Sequence, residues 1–182
     1  ALAAGILAVG GNVIKAGIIP TPAVAYLAKH YNADAGIVIS ASHNTFEYNG
    51  IKFFNGNGYK LDDLLEEKIE DIIISSINVN SHITGDKIGK CLEAEENATG
   101  LYVKHLLDTV DYSLRGKKIV LDCANGAAFQ IAEKIYRELG AEVIVIGNQP
   151  NGVNINDGCG STHPERMAET VKMSGADIGL AF

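Results

Sequence analysis

Three short aliphatic runs in the second half of the chain, Lys118–Asp122, Glu142–Ile146 and residues 177–182, alternate with stretches whose apolar residues recur at helical spacing. That alternation leaves few folds open. Strands with Ile, Val and Leu on both sides must be covered on both faces, so the sheet is predicted to be parallel and flanked by helices. Residues 127–139 supply one crossover helix, stopped by Gly140, and residues 162–174 a second, with Thr162 and Glu165 reading as its capping box.

The first half uses the same grammar less regularly. Leu2, Ile6 and Val9 share one face of a short Ala-rich helix ended by Gly10 and Gly11, and residues 12–16 read as a strand. Thr21 and Pro22 read as N-cap and first residue of a helix running to His30. Ala35–Ile39 is a buried strand, and residues 51–54 form another that turns through Asn55-Gly56-Asn57-Gly58 into a partner near Tyr59. Asp63 and Glu66 match a capping box for an amphipathic helix over 62–75. Periodicity lapses between 76 and 96, and a helix follows over 97–110. The fold class expected is α/β: two tandem α/β domains, 1–90 and 91–182, each with a mostly parallel mixed sheet flanked by helices. The Asn97-Ala98-Thr99 glycosylation pattern reads as coincidental.

Composition removes several functional classes. A chain of 182 residues that is 47% hydrophobic and 20% charged is neither disordered nor fibrous. Cys91, Cys123 and Cys159 are widely spaced and contain no C-x-x-C pair, so reduced thiols in a cytoplasmic setting are expected. His30, His82, His105 and His163 show no ligand spacing. With 15 basic against 22 acidic residues the net charge is −7, unfavourable for nucleic acid or an anionic membrane, so any phosphate chemistry must be local. Residues 1–28 carry only Lys15, but Gly10, Gly11, Pro20 and Pro22 cut the apolar runs short of the roughly 18 residues a span needs. The chain opens on a helix without an initiator Met, and it is expected to be truncated at both ends.

The densest chemistry lies at Ser40-Ala41-Ser42-His43-Asn44: two hydroxyls, an imidazole and a carboxamide at the C-terminal end of a buried strand, where α/β sheets hold ligands. On residues alone this is either a polar cap or a reactive loop. A hydrolase dyad is disfavoured, because the G-x-S-x-G glycines are absent and adjacent side chains such as Ser42 and His43 tend to point apart. Residues 119–127 mimic the nucleotide-binding turn of a Rossmann methyltransferase, yet offer one glycine and no acidic residue in Ile146-Gly147-Asn148.

The run Gly36-Ile37-Val38-Ile39-Ser40-Ala41-Ser42-His43-Asn44, followed by Asn49-Gly50-Ile51-Lys52, resembles the active-site serine segment of the α-D-phosphohexomutases. Pro20-Thr21-Pro22-Ala23, Asp122-Cys123-Ala124-Asn125-Gly126-Ala127, Pro150-Asn151-Gly152 and Asn154-Ile155-Asn156 keep that family's order. The resemblance implies an isomerase working by phosphoryl transfer, with Ser42 as the phosphoserine, Lys52 as the general acid/base and His43 and Asn44 positioning the phosphoserine. It implies a hexosamine phosphate as substrate, interconverting glucosamine 6-phosphate and glucosamine 1-phosphate on the way to peptidoglycan precursors, with glucose or glucosamine 1,6-bisphosphate as activator or intermediate. The implied cofactor is Mg²⁺, held through the phosphate on Ser42 and by aspartates expected after Phe182. Phosphomannomutase or phosphoglucomutase activity, and a non-catalytic sugar-phosphate-binding module, are the alternatives. Thr45 departs from the proline usual after the Ser-His-Asn run. On this reading residues 1–182 hold half a site; alone they are expected to be inactive and, with an exposed sheet edge, to self-associate or form a homo-oligomer.

Overall fold

Residues 1–75, 83–94 and 97–182 are described by a computed structural model of the chain. Among them the elements run α1 (Leu2–Ala8), β1 (Val13–Ile14), α2 (Thr21–His30), β2 (Ala35–Ile39), β3 (Ile51–Asn55), α3 (Asp63–Ile74), a 3₁₀ turn (Gly85–Lys87), β4 (Cys91–Leu92), α4 (Ala98–Asp108), β5 (Lys118–Asp122), α5 (Ile131–Glu138), β6 (Glu142–Ile146), α6 (Glu165–Ser174) and β7 (Ile178–Ala181).

The second half builds the expected parallel sheet, in the order β6-β5-β7, with Lys118 opposite Glu142 and Val120 opposite Gly179. Central β5 is buried from Ile119 to Asp122 because both faces are covered. Ala132 of α5 packs with Ile119, Leu121 and Val143. On the other face Gly179 lies against Met167 and Val171 of α6, so any larger side chain there would have to displace them. In the first half β2 and β3 form an antiparallel pair, from Ala35 opposite Asn55 to Ile39 opposite Ile51, while β1 and β4 pair in parallel. Gly36 rests on Val24 and Ala28, so α2 covers the face that carries Gly36 and Val38. Among the described residues the architecture is therefore α/β with two parallel sheets and one antiparallel pair.

A core of Ile19, Ala23 and Leu27 with Ala98, Tyr102, Val103 and Ile131 joins α2 of the first half to α4 and α5 of the second. Burial of these side chains fixes how the two halves meet. Among the described residues no helix is long and apolar enough to cross a membrane.

Local corrections have local causes. Asn97 belongs to a helix cap: its Oδ1 accepts the Thr99 and Gly100 N–H groups at 3.0 and 3.4 Å. Asn97→Ala is expected to cost about 1 kcal/mol in a denaturant titration, the usual worth of such a cap; an unchanged midpoint would remove that role. Helix α3 is capped by Asp62, which accepts from Leu64 N–H at 2.9 Å, so Asp63 and Glu66 form no capping box; Glu66 instead pairs with Lys60 at 2.9 Å. Pro20 and Pro164 take the N-cap positions of α2 and α6, displacing Thr21 into its helix and leaving Thr162 outside. Between β5 and α5, Ala124 and Asn125 stand at positive φ and turn the chain, so the helix starts at Ile131 rather than 127. The strand read over 12–16 is confined to Val13–Ile14, which matches its two-residue partner β4. The partner near Tyr59 is a single bridge, Phe54 to Lys60, stabilised by Asn55 Oδ1 accepting from Asn57 and Tyr59. Residues 76–82 and 95–96, in the stretch read as a boundary, lie outside the described residues.

Candidate active site

Residues 40–50 join β2 to β3, and the loop closes where Ser40 N–H donates to Gly50 O at 2.9 Å. A Cβ on Gly50 would stand 2.9 Å from Ser40 O, too close for any other residue without a shift. Within the loop Asn44 donates to Ala41 O twice, from its backbone N–H at 3.2 Å and from Nδ2 at 3.0 Å. Ser42 N–H donates to Ser40 Oγ at 3.1 Å. Ser40 and Asn44 thus commit their side chains to the loop's own backbone, the part of the segment that behaves as a polar cap.

Ser42 is different. Its φ is +60°, a left-handed conformation that costs a non-glycine residue of order 1–3 kcal/mol and persists only when its surroundings enforce it. Ser42 and His43 are both exposed, and Ser42 Oγ lies 3.4 Å from His43 Nδ1. The left-handed turn brings these neighbours together where sequence adjacency suggests divergence. A contact of that length is looser than a strong hydroxyl–imidazole hydrogen bond. Thr45 hydrogen-bonds to Glu47, and that bond holds the Glu47 carboxyl below its ordinary range.

Lys52 lies opposite Val38 on β3, close to the loop end of the ladder and on the face that α2 covers farther along. It is exposed. The structure brings Ser42, His43 and Asn44 together and places Lys52 at the same end of the strand pair, without a hydrogen bond to them among the described residues.

The second half contributes a residue the sequence reading did not single out. Asp122, fully buried at the end of β5, accepts Ala124 N–H on Oδ1 and Gly160 N–H on Oδ2, each at 2.9 Å. It anchors both ends of the region leading to Gly160. Between them Asn125 Nδ2 donates to Asn154 O at 3.2 Å and Asn154 Nδ2 to Gln149 O at 3.0 Å, while Asn125 Oδ1 accepts from Gln149 N–H at 3.0 Å. Asn156, buried and at φ +57°, donates its backbone N–H to Ala124 O at 2.9 Å and its Nδ2 across to Asn44 O at 2.8 Å and Ser42 O at 3.4 Å. The only sequence signal for it was the Asn154-Ile155-Asn156 motif.

Cys159 Sγ also accepts from Asn125 Nδ2 at 3.9 Å. All three cysteines are free; burial pushes the Cys123 thiol up to about 11, with the Asp122 charge adding to it, and burial also raises Cys159. Neither is a ready thiolate. Among the described residues no three His, Cys, Asp or Glu side chains converge as a cation site. An exposed Ser42 hydroxyl alone is a poor ligand for a hard dication, so these residues do not by themselves make an Mg²⁺ site.

Residues 1–79 match the family model for phosphoglucomutase/phosphomannomutase, alpha/beta/alpha domain I. The chain superposes with a TM-score of 0.72 on a phosphoglucomutase/phosphomannomutase family protein from Burkholderia thailandensis, 27% identical, over 100% of this chain and 40% of that one. By the family model over residues 1–79, by sequence identity along its whole length and by fold, the chain is similar to phosphohexomutases. Over all 182 residues it is 54% identical to the phosphoglucosamine mutase of Clostridium novyi (strain NT) and 50% identical to that of Alkaliphilus metalliredigens (strain QYMF). The chain spans 40% of the length of each of these relatives.

Proposed function

We propose that this chain carries the phosphoryl-transfer half of a phosphoglucosamine mutase. The observation that carries the reading is the Ser42 loop: an exposed hydroxyl on a strained, well-braced turn, in a chain half identical to phosphoglucosamine mutases throughout its length. In the forward direction the P–Oγ bond of phospho-Ser42 breaks as a bond forms from phosphorus to the 1-hydroxyl oxygen of glucosamine 6-phosphate. The sugar hydroxyl loses its proton and Ser42 Oγ regains one. The resulting 1,6-bisphosphate returns its 6-phosphoryl group to Ser42 Oγ and leaves as glucosamine 1-phosphate, so no phosphate is consumed. Lys52 is assigned the proton transfer at the sugar hydroxyl, and His43 the orientation of the phosphoryl group. The Asn44 amide is committed to Ala41 O, so its part is to shape the loop. A bound Mg²⁺ would be held on this chain through the phosphate on Ser42 and would supply neutralisation of phosphoryl charge. A cytoplasmic setting fits the free cysteines and a sugar-phosphate substrate.

Comparing kcat/KM of the intact protein on glucosamine 6-phosphate, glucose 6-phosphate and mannose 6-phosphate tests the sugar. The amino sugar is expected to lead by at least about tenfold, the discrimination that one well-placed polar contact gives. Preference for mannose or glucose would move the protein to the sister activities, and binding without turnover would make it a binding module. Residues 1–182 alone, lacking a three-ligand cation set among those described, are expected to give no turnover above background.

A further inference from the structure

We infer that Asn156 is a positioning residue for Ser42, fixing from the second half of the chain the backbone turn that presents the serine hydroxyl; the inference rests on the phosphoserine reading above. The Asn156 carboxamide NH₂ reaches Asn44 O at 2.8 Å and Ser42 O at 3.4 Å, the two carbonyls on either side of His43. One side chain thereby clamps the peptide segment that sets the direction of both Ser42 Oγ and the His43 ring. The partners are 112 and 114 residues apart in the sequence, so the restraint is tertiary and does not come from the loop.

The clamp stands on a fixed base. Its backbone N–H is bound to Ala124 O, Ala124 N–H is bound to buried Asp122, and Asp122 also holds Gly160. Nearby carboxamides are turned inward: Asn125 and Asn154 bond to the backbone of their own region. Asn156 is the one whose amide crosses to the Ser42 loop. Two requirements select asparagine there: an NH₂ that can serve two carbonyls, and tolerance of a left-handed φ of +57°. Aspartate meets the second and fails the first, setting an oxygen against two carbonyl oxygens.

In-line transfer punishes small misplacement of the nucleophile, with an error near 1 Å costing on the order of 100-fold. Ser42, in a conformation it would not adopt unaided, is where such an error arises once the clamp is removed. Asn156→Gly deletes the amide yet keeps the left-handed backbone without strain; Asn156→Asp keeps size and removes the donor. In the intact protein we would measure the circular-dichroism spectrum, kcat and KM for glucosamine 6-phosphate, and the rate at which phosphatase-treated enzyme is phosphorylated on Ser42 by glucosamine 1,6-bisphosphate, read by peptide mass spectrometry. A folded Asn156→Gly enzyme is expected to lose roughly 10- to 100-fold in kcat and in the rate of Ser42 phosphorylation, with KM within about threefold. Asn156→Asp is expected to lose at least as much. Wild-type kcat and phosphorylation rate in folded Asn156→Gly, whatever its KM, would overturn the inference. Wild-type enzyme that turns over without phosphate ever reaching Ser42 overturns the phosphoserine reading and this inference with it, a result visible before any variant is made.

Discussion

Ser42→Ala in the intact protein is expected to lower mutase turnover by roughly 10⁴-fold or more while leaving the fold unchanged. In the proposed cycle the Ser42 oxygen is both the donor of the first phosphoryl group and the acceptor of the second, and no neighbouring atom replaces it; single losses of a nucleophile elsewhere fall in this range. Stability is unaffected because the lost oxygen is exposed and, among the described residues, makes only the 3.4 Å contact with His43. The bonds that hold the turn, from Ser42 N–H to Ser40 Oγ and from Asn156 Nδ2 to Asn44 O, do not use the serine hydroxyl. A coupled assay following glucosamine 1-phosphate reads the loss, and a thermal melt shows the fold. Activity within tenfold of wild type would mean that the phosphoryl group travels by another route.

Lys52→Met is expected to lower kcat by roughly 10²- to 10⁴-fold, the usual cost of losing a general acid or base, with a much smaller effect on how fully Ser42 is phosphorylated by bisphosphate. Methionine keeps the aliphatic length of the side chain. Lys52 is exposed on β3 opposite Val38, where a surface substitution stays within about 0.5 kcal/mol of neutral, so a kinetic defect would be chemical rather than structural. A rise in KM with kcat preserved would make Lys52 a contact to the substrate's phosphate and remove the proton-transfer role. The likeness to phosphohexomutases would stand in either case.

How much of this was legible depends on whether the deciding forces were local. The bounds of Ala35–Ile39, Lys118–Asp122 and Glu142–Ile146 were readable to the residue as aliphatic runs between polar turns, but burial was not. β5 is buried as read, whereas β2 buries only Gly36 and Val38 and leaves Ile39 exposed, because among the described residues it pairs with β3 alone and α2 covers one face. Helix starts were not readable either. Asp62 and Asp63 are equally able to cap α3, and Pro20 and Pro164 hold cap positions through backbone geometry alone, so threonines beside them only imitate the signal. The helix read from residue 97 holds, with Asn97 as its N-cap, and the glycosylation pattern there was set aside; the capping role itself was not read, since one asparagine serves either pattern. The Ser42 loop could be located from its polar cluster after β2, and the roles given to Ser42, His43 and Lys52 came from family resemblance rather than from spacing. That Ser42 and His43 would face each other, and that Asn156 would reach them, depended on a left-handed turn and a tertiary contact that no local pattern encodes.

The proposed cycle turns on where the phosphoryl group resides. Intact protein, stripped with phosphatase and incubated with glucosamine 1,6-bisphosphate, can be digested and its peptides sequenced by mass spectrometry. The expected result is one phosphoryl group on Ser42, lost again when glucosamine 6-phosphate is added. Unmodified Ser42 in enzyme that is converting glucosamine 6-phosphate to glucosamine 1-phosphate, or phosphate on a different residue that discharges to the sugar, would contradict it.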